Sequence, residues 1–193
     1  MATTRVMLNA VCLLLCLLVM VDARHHVQGY KFSSIDDVIP SSLQVPAGNE
    51  VQQILFGLGV QIYLYNGSAW NLSNVSADLY NFKGLKIGHH FFLGQKDSKG
   101  GQPTWETFSP VTRVTGKALA SLPITSDSIN WVLLQATSNS GKDEFLGATT
   151  YIQRLFTQHG EPPSATLPAN AGDIFNSNYT ALYKYSANAT AWN

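Results

Sequence analysis

The chain has 193 residues, twelve basic and twelve acidic side chains, no net charge, and 45% hydrophobic residues. No basic stripe or block is present. The clustered Lys and Arg that displace counterions from a nucleic acid are therefore missing, and no nucleic-acid partner is expected.

Residues 1–23 read as a secretory signal peptide. Arg5 is the one charge of a short leading region, an apolar run covers 6–21, and Val21 and Ala23 occupy the small-residue positions of a cleavage site. The run is shorter than the ~20 residues of a membrane-spanning helix, so a removed leader is expected and no membrane attachment after cleavage. The predicted location is secreted, extracellular or cell wall. Both cysteines, Cys12 and Cys16, lie in the leader, so the mature chain has none and no disulfide is expected. Loss of Arg5 and Asp22 with the leader leaves eleven charges of each sign. The remainder is long enough for one self-sufficient core.

Residues 24–44 read as an N-terminal arm. Ile35, Val38, Ile39 and Leu43 fall at near-helical spacing, which predicts a helical turn before Pro40. The single domain runs over 45–193 and is dominated by two-residue alternation. Candidate strands are 51–56, 60–65, 69–75, 79–82, 87–93, 104–108, 112–122, 131–137, 148–157 and 179–186. Gly57 and Gly59 separate the first two as a bulge or bend, and Asn66-Gly67 is a hairpin turn signal. Residues 158–178 hold Pro162, Pro163 and Pro168 and cannot be regular for long. The fold class expected is all-β: a single antiparallel β-sandwich or closed barrel of about 8–10 short strands.

Five Asn-x-Ser/Thr sequons mark Asn66, Asn71, Asn74, Asn178 and Asn188 as glycosylation candidates. A glycan must point to solvent, so the sequon-dense segment from Asn66 to Ser76 is expected to be an exposed turn or edge.

Recognisable catalytic machinery is missing. There is no G-x-S-x-G elbow, no H-E-x-x-H and no P-loop. Gly57-Leu58-Gly59 lacks the third glycine of a dinucleotide fingerprint and sits between strands. No cofactor and no metal site are expected in the domain. In the arm, His26 would be the third residue of a chain beginning at Arg24, a spacing able to chelate Cu(II) or Ni(II).

Candidate ligand-binding residues are His90, Trp105, Glu106, Gln153 and Arg154. An indole beside a polar partner can stack on the apolar face of a sugar, which singles out Trp105-Glu106; the alternative is that Trp105, like Trp131, belongs to the core. His89 and His90 are adjacent on a strand and should face opposite sides. Tyr151 and Gln153 should share one face, with Ile152 and Arg154 on the other. Arg154 could pair with Glu106 or Asp127, or hold an anion. His90 could act as a base if Glu106 came within reach.

Six ordered blocks carry a resemblance: Val45-Pro46-Ala47-Gly48-Asn49, Gly59-Val60-Gln61-Ile62-Tyr63, Gly88-His89-His90-Phe91, Pro103-Thr104-Trp105-Glu106, Ile129-Asn130-Trp131-Val132-Leu133-Leu134 and Thr150-Tyr151-Ile152-Gln153-Arg154-Leu155. The chain resembles an exported domain-of-unknown-function family of bacteria, fungi and plants. Some fungal members carry a malate dehydrogenase label, which the missing nucleotide fingerprint does not support. Relatives often have Cys at the positions of Tyr65 and of the region near Leu167, so the resemblance implies that these two segments are close. Three readings of function follow. The first is an extracellular domain binding a glycan or small molecule through an aromatic-lined face. The second is a secreted enzyme built around His90, Glu106 and Arg154. The third is a wall- or stress-associated structural protein.

Overall fold

The computed structural model describes residues 33–141 and 145–190. The predicted leader and the His25-His26 pair lie outside the described residues. The chain divides into a unit ending at Ile39 and a second beginning at Pro40. The described part of the first is one helical turn, α1 (Ser33–Asp36), continued by the Val38 and Ile39 amides on the Ile35 and Asp36 carbonyls.

The second unit opens with a 3₁₀ turn (Ser41–Leu43) and continues as eight antiparallel strands. They are β1 (Asn49–Tyr65), β2 (Trp70–Tyr80), β3 (Lys86–Phe92), β4 (Pro103–Thr107), β5 (Arg113–Leu122), β6 (Trp131–Ser140), β7 (Thr149–His159) and β8 (Ile174–Asn188); a short helix, α2 (Phe145–Ala148), precedes β7. Each strand pairs with the next, and β8 returns to β1 from Asn49↔Asn188 to Leu64↔Ile174. The sheet therefore closes into a barrel, and among the described residues no strand is left as an unpaired edge.

Ten candidate strands become eight because two pairs of them fuse. Residues 51–56 and 60–65 are one 17-residue strand, and 69–75 and 79–82 lie along β2 and its exit. Gly57 and Gly59 do not break β1. A Cβ on Gly57 would enter the Tyr183 ring, and one on Gly59 would collide with the Ser76 carbonyl and Ala77. These glycines allow close approach, while the register irregularities fall elsewhere, at Val51/Gln53 and Ile62/Tyr63. Asn66-Gly67 does turn the chain. The Asn66 amide donates to the Ala69 carbonyl (3.1 Å), its Oδ1 accepts from Ser68 and Ala69, and Gly67 takes φ +95°.

Alternation sorts the side chains. Leu55, Ala77, Trp105, Ile152, Tyr183 and Tyr185 point inward and are buried. Part of the outer face is covered as well. Gln153 lies there beneath the 3₁₀ turn and donates through Nε2 to the Leu43 carbonyl (2.7 Å). The loop after β3 folds over β4 to β6, held by Asp97, whose carboxylate accepts from Thr137 (2.5 Å), Ser138, Lys99 and Gly101. The Thr137 hydroxyl, then the backbone donors, hold that carboxyl below its ordinary pKa.

Candidate functional site

Register separates the sequence candidates onto two sides of the wall. His90 is opposite Trp105, and its neighbour His89 is opposite Glu106. Directly opposed residues share a face, so His90 and Trp105 are interior while His89 and Glu106 are exterior. Arg154 is opposite Tyr183 and is therefore interior, with Gln153 exterior.

Inside, the His90 imidazole lies flat on the Trp105 indole, with centroids 4.3 Å apart and planes 5° apart. Tyr183 meets both rings edge-on. A carbonyl can only accept, so His90 Nδ1 carries the proton and donates to the Thr104 oxygen (2.8 Å). Burial pushes the His90 pKa down to about 3, against that hydrogen bond. Trp105 is 1% exposed and Trp131 is also buried, packed on Phe156. Of the two readings of Trp105, its burial fits the core one: His90 stacks on the indole, Tyr183 and Tyr185 meet it edge-on, and no face is open to a sugar.

Arg154 pairs with neither Glu106 nor Asp127. Its Nε and Nη2 both donate to the Asn130 carbonyl, at 3.1 and 2.8 Å. Glu106 instead accepts from Arg113 Nε (2.6 Å) and Nη2, with His89 Nε2 at 3.6 Å. The enzyme constellation of His90, Glu106 and Arg154 thus does not converge. Two of its members face the barrel interior and the third faces out, so no substrate atom touches all three.

The exterior face of β3 and β4 holds a feature the sequence reading missed. His89 stacks between Phe91 (4.8 Å, 28°) and Phe108 (5.4 Å, 28°). Arg113 lies over Phe91 and Lys86 over Phe108, closing the row with cations at both ends. Lys86 is ion-paired with Asp78 (2.8 Å). Phe108 is 45% exposed. The sequence signal was the alternation of His89 and Phe91, but Phe108 lies beyond β4 and joins them only through the β3–β4 pairing.

All five sequon asparagines are exposed. They fall on the β1–β2 turn, β2 and β8, none on β3, β4 or β5. Tyr65 is tied by its backbone to Gly172 and Asp173, at the far end of the Pro-rich loop, and packs on Trp70. Leu167, in an earlier turn of that loop, is 44% exposed. Among the described residues, no three His, Cys, Asp or Glu side chains gather as a metal set.

The fold and these two faces define a class: an up-and-down eight-stranded barrel with an aromatic core and an aromatic strip outside. The sequence pattern of a family described as "Protein of unknown function (DUF3455)" matches residues 46–186, and the chain belongs to that family. No curated protein and no solved structure matches it.

Proposed function

We propose that the protein is an exported carbohydrate-binding domain that holds a glycan on the outer face of β3 and β4. The observation that carries this reading is the Phe91–His89–Phe108 row, with Glu106 and Arg113 beside it. The outward edges of the rings, with Phe108 45% exposed, offer apolar area to a sugar, and the adjoining carboxylate and guanidinium can exchange hydrogen bonds with hydroxyls. The row is preorganised: Glu106 is fixed by Arg113, and the rings already stack on one another. The sequons of β8, at Asn178 and Asn188, support the reading, because β8 pairs with β1 and β7, so glycans attached there stay off β3 to β5.

The test is retention on insoluble polysaccharides and on a glycan array. Phe108→Ala and His89→Ala should each weaken retention about tenfold, the equivalent of about 1.4 kcal/mol, with circular dichroism unchanged because both sites lie on the outer surface. Retention of the double variant equal to that of the parent would remove the reading, as would failure of the parent to bind any polysaccharide.

A further inference from the structure

The interior end of the barrel nearest the 160–173 loop combines a cation with an unsatisfied amide. Arg154 faces inward from β7, and among the described residues no carboxylate lies within 4 Å of it. Its two hydrogen bonds both go to one neutral carbonyl, that of Asn130. A guanidinium has five donors, so it retains others that the Asn130 carbonyl does not use. Tyr63 and Tyr179 face the same interior, and both phenols, with Tyr183 and His90, feel the Arg154 charge. Glu161 is felt by Tyr63 as well, but it forms no ion pair with Arg154.

Gln61 lies on the same interior face, between Gly59 and Tyr63. It is 1% exposed, and its Nε2 has no hydrogen-bond partner. A donor buried in this way costs free energy unless something accepts from it. The surroundings are built to hold it in place. The Tyr63 hydroxyl donates to the Gly160 carbonyl (2.7 Å). A Cβ added to Gly160 would stand 2.7 Å from Tyr179 Cβ and 3.4 Å from Gln61 Cγ. Gly160 in turn follows His159, whose φ of +57° and whose carbonyl bond from Ile129 fix the bend there. Ile129, whose neighbour Asn130 binds Arg154, stands 3.1 Å from the same Gly160 Cβ position, so the partner of the guanidinium, the orphaned amide side chain and the Tyr63 and Tyr179 residues meet around Gly160.

We infer that this end of the barrel binds a small carboxylate, ion-paired to Arg154 and hydrogen-bonded by Gln61 Nε2, with the rings of Tyr63 and Tyr179 against its carbon body. The site is on the opposite side of the wall from the proposed glycan face and does not depend on it.

The experiment is titration of the purified chain with acetate, succinate and benzoate, followed by calorimetry and by shifts of the tyrosine ring signals. Acetamide and benzamide serve as uncharged controls. Saturable binding of at least one carboxylate, with its amide inert, is expected. Arg154→Gln should abolish it. Gln61→Leu should weaken it at least fivefold while raising Tm by a few degrees, because the variant loses an unsatisfied buried donor. Should Arg154→Gln fail to fold, Gln61→Leu decides by itself. Equal binding by Gln61→Leu and the parent overturns the proposal, as does equal response to acid and amide or no saturable response at all. Phe108→Ala should leave carboxylate binding unchanged, so failure here and failure of the glycan reading are separate results.

Discussion

Trp105→Ala is expected to lower the folding free energy by about 3–5 kcal/mol, the range for emptying a buried aromatic site. The indole is 1% exposed and is enclosed by three other rings. His90 stacks on one face at 4.3 Å, and Tyr183 and Tyr185 approach edge-on at 5.6 and 6.4 Å. Removing it leaves those rings facing a void that strands tied into a closed barrel cannot collapse to fill. The Trp105 Nε1 proton has no partner, so its loss returns part of the penalty. Trp105→Phe should therefore cost much less than the alanine variant. A typical domain is stable by only 5–15 kcal/mol, and no cysteine occurs after Cys16 to cross-link the unfolded chain. Urea unfolding measures the effect. A loss under about 1 kcal/mol for Trp105→Ala would mean that the interior is not the close-packed core described above.

Acid should destabilise the barrel before its carboxylates titrate. His90 is held neutral in the folded state, its pKa pushed down to about 3 chiefly by burial. In the unfolded chain the ring titrates near 6.5. Because the folded value is the lower one, the unfolded chain takes up a proton that the folded chain refuses. The stabilisation is complete above pH 6.5 and is lost progressively as pH falls from 6.5 toward 3. Each unit is about 1.36 kcal/mol, so His90 alone should remove about 2 kcal/mol between pH 7 and pH 5. Denaturant midpoints across that window give the slope. His90→Phe keeps an aromatic ring over Trp105 but cannot bind the proton, so its stability should change less between pH 7 and pH 5. An unchanged slope in that variant would show that His90 does not carry the acid sensitivity.

The same His90 shows where sequence reasoning ends. Its adjacency to His89 was enough to place the two on opposite faces, since strand side chains alternate. Nothing along the chain said which of them faced inward. That was settled when β3 paired with β4 and set His90 against Trp105 and His89 against Glu106. Glu106 and Arg154 were plausible partners as a list of charges. In the barrel they stand on different sides of the wall, and Arg113, directly across from Glu106 on β5, takes the carboxylate instead. Gly57 and Gly59 looked like interruptions because a glycine carries no record of what approaches it. Only closure of β1 against both β2 and β8 shows that Ser76 and Tyr183 occupy the space a Cβ would need.

What the chain determined by itself was local: strand-forming alternation, the Asn66-Gly67 turn, the irregular proline-rich stretch and the two faces of 151–154. These follow from backbone sterics and side-chain periodicity, which act over a few residues. Whether the strands would stack as two sheets or close on each other, which face of each became the core, and which distant side chains met were decided in three dimensions. Pairing across the barrel joins residues far apart in sequence, as with Asn49 and Asn188, and that long-range register puts Phe108 beside His89 and, among the described residues, leaves Arg154 without an ion pair.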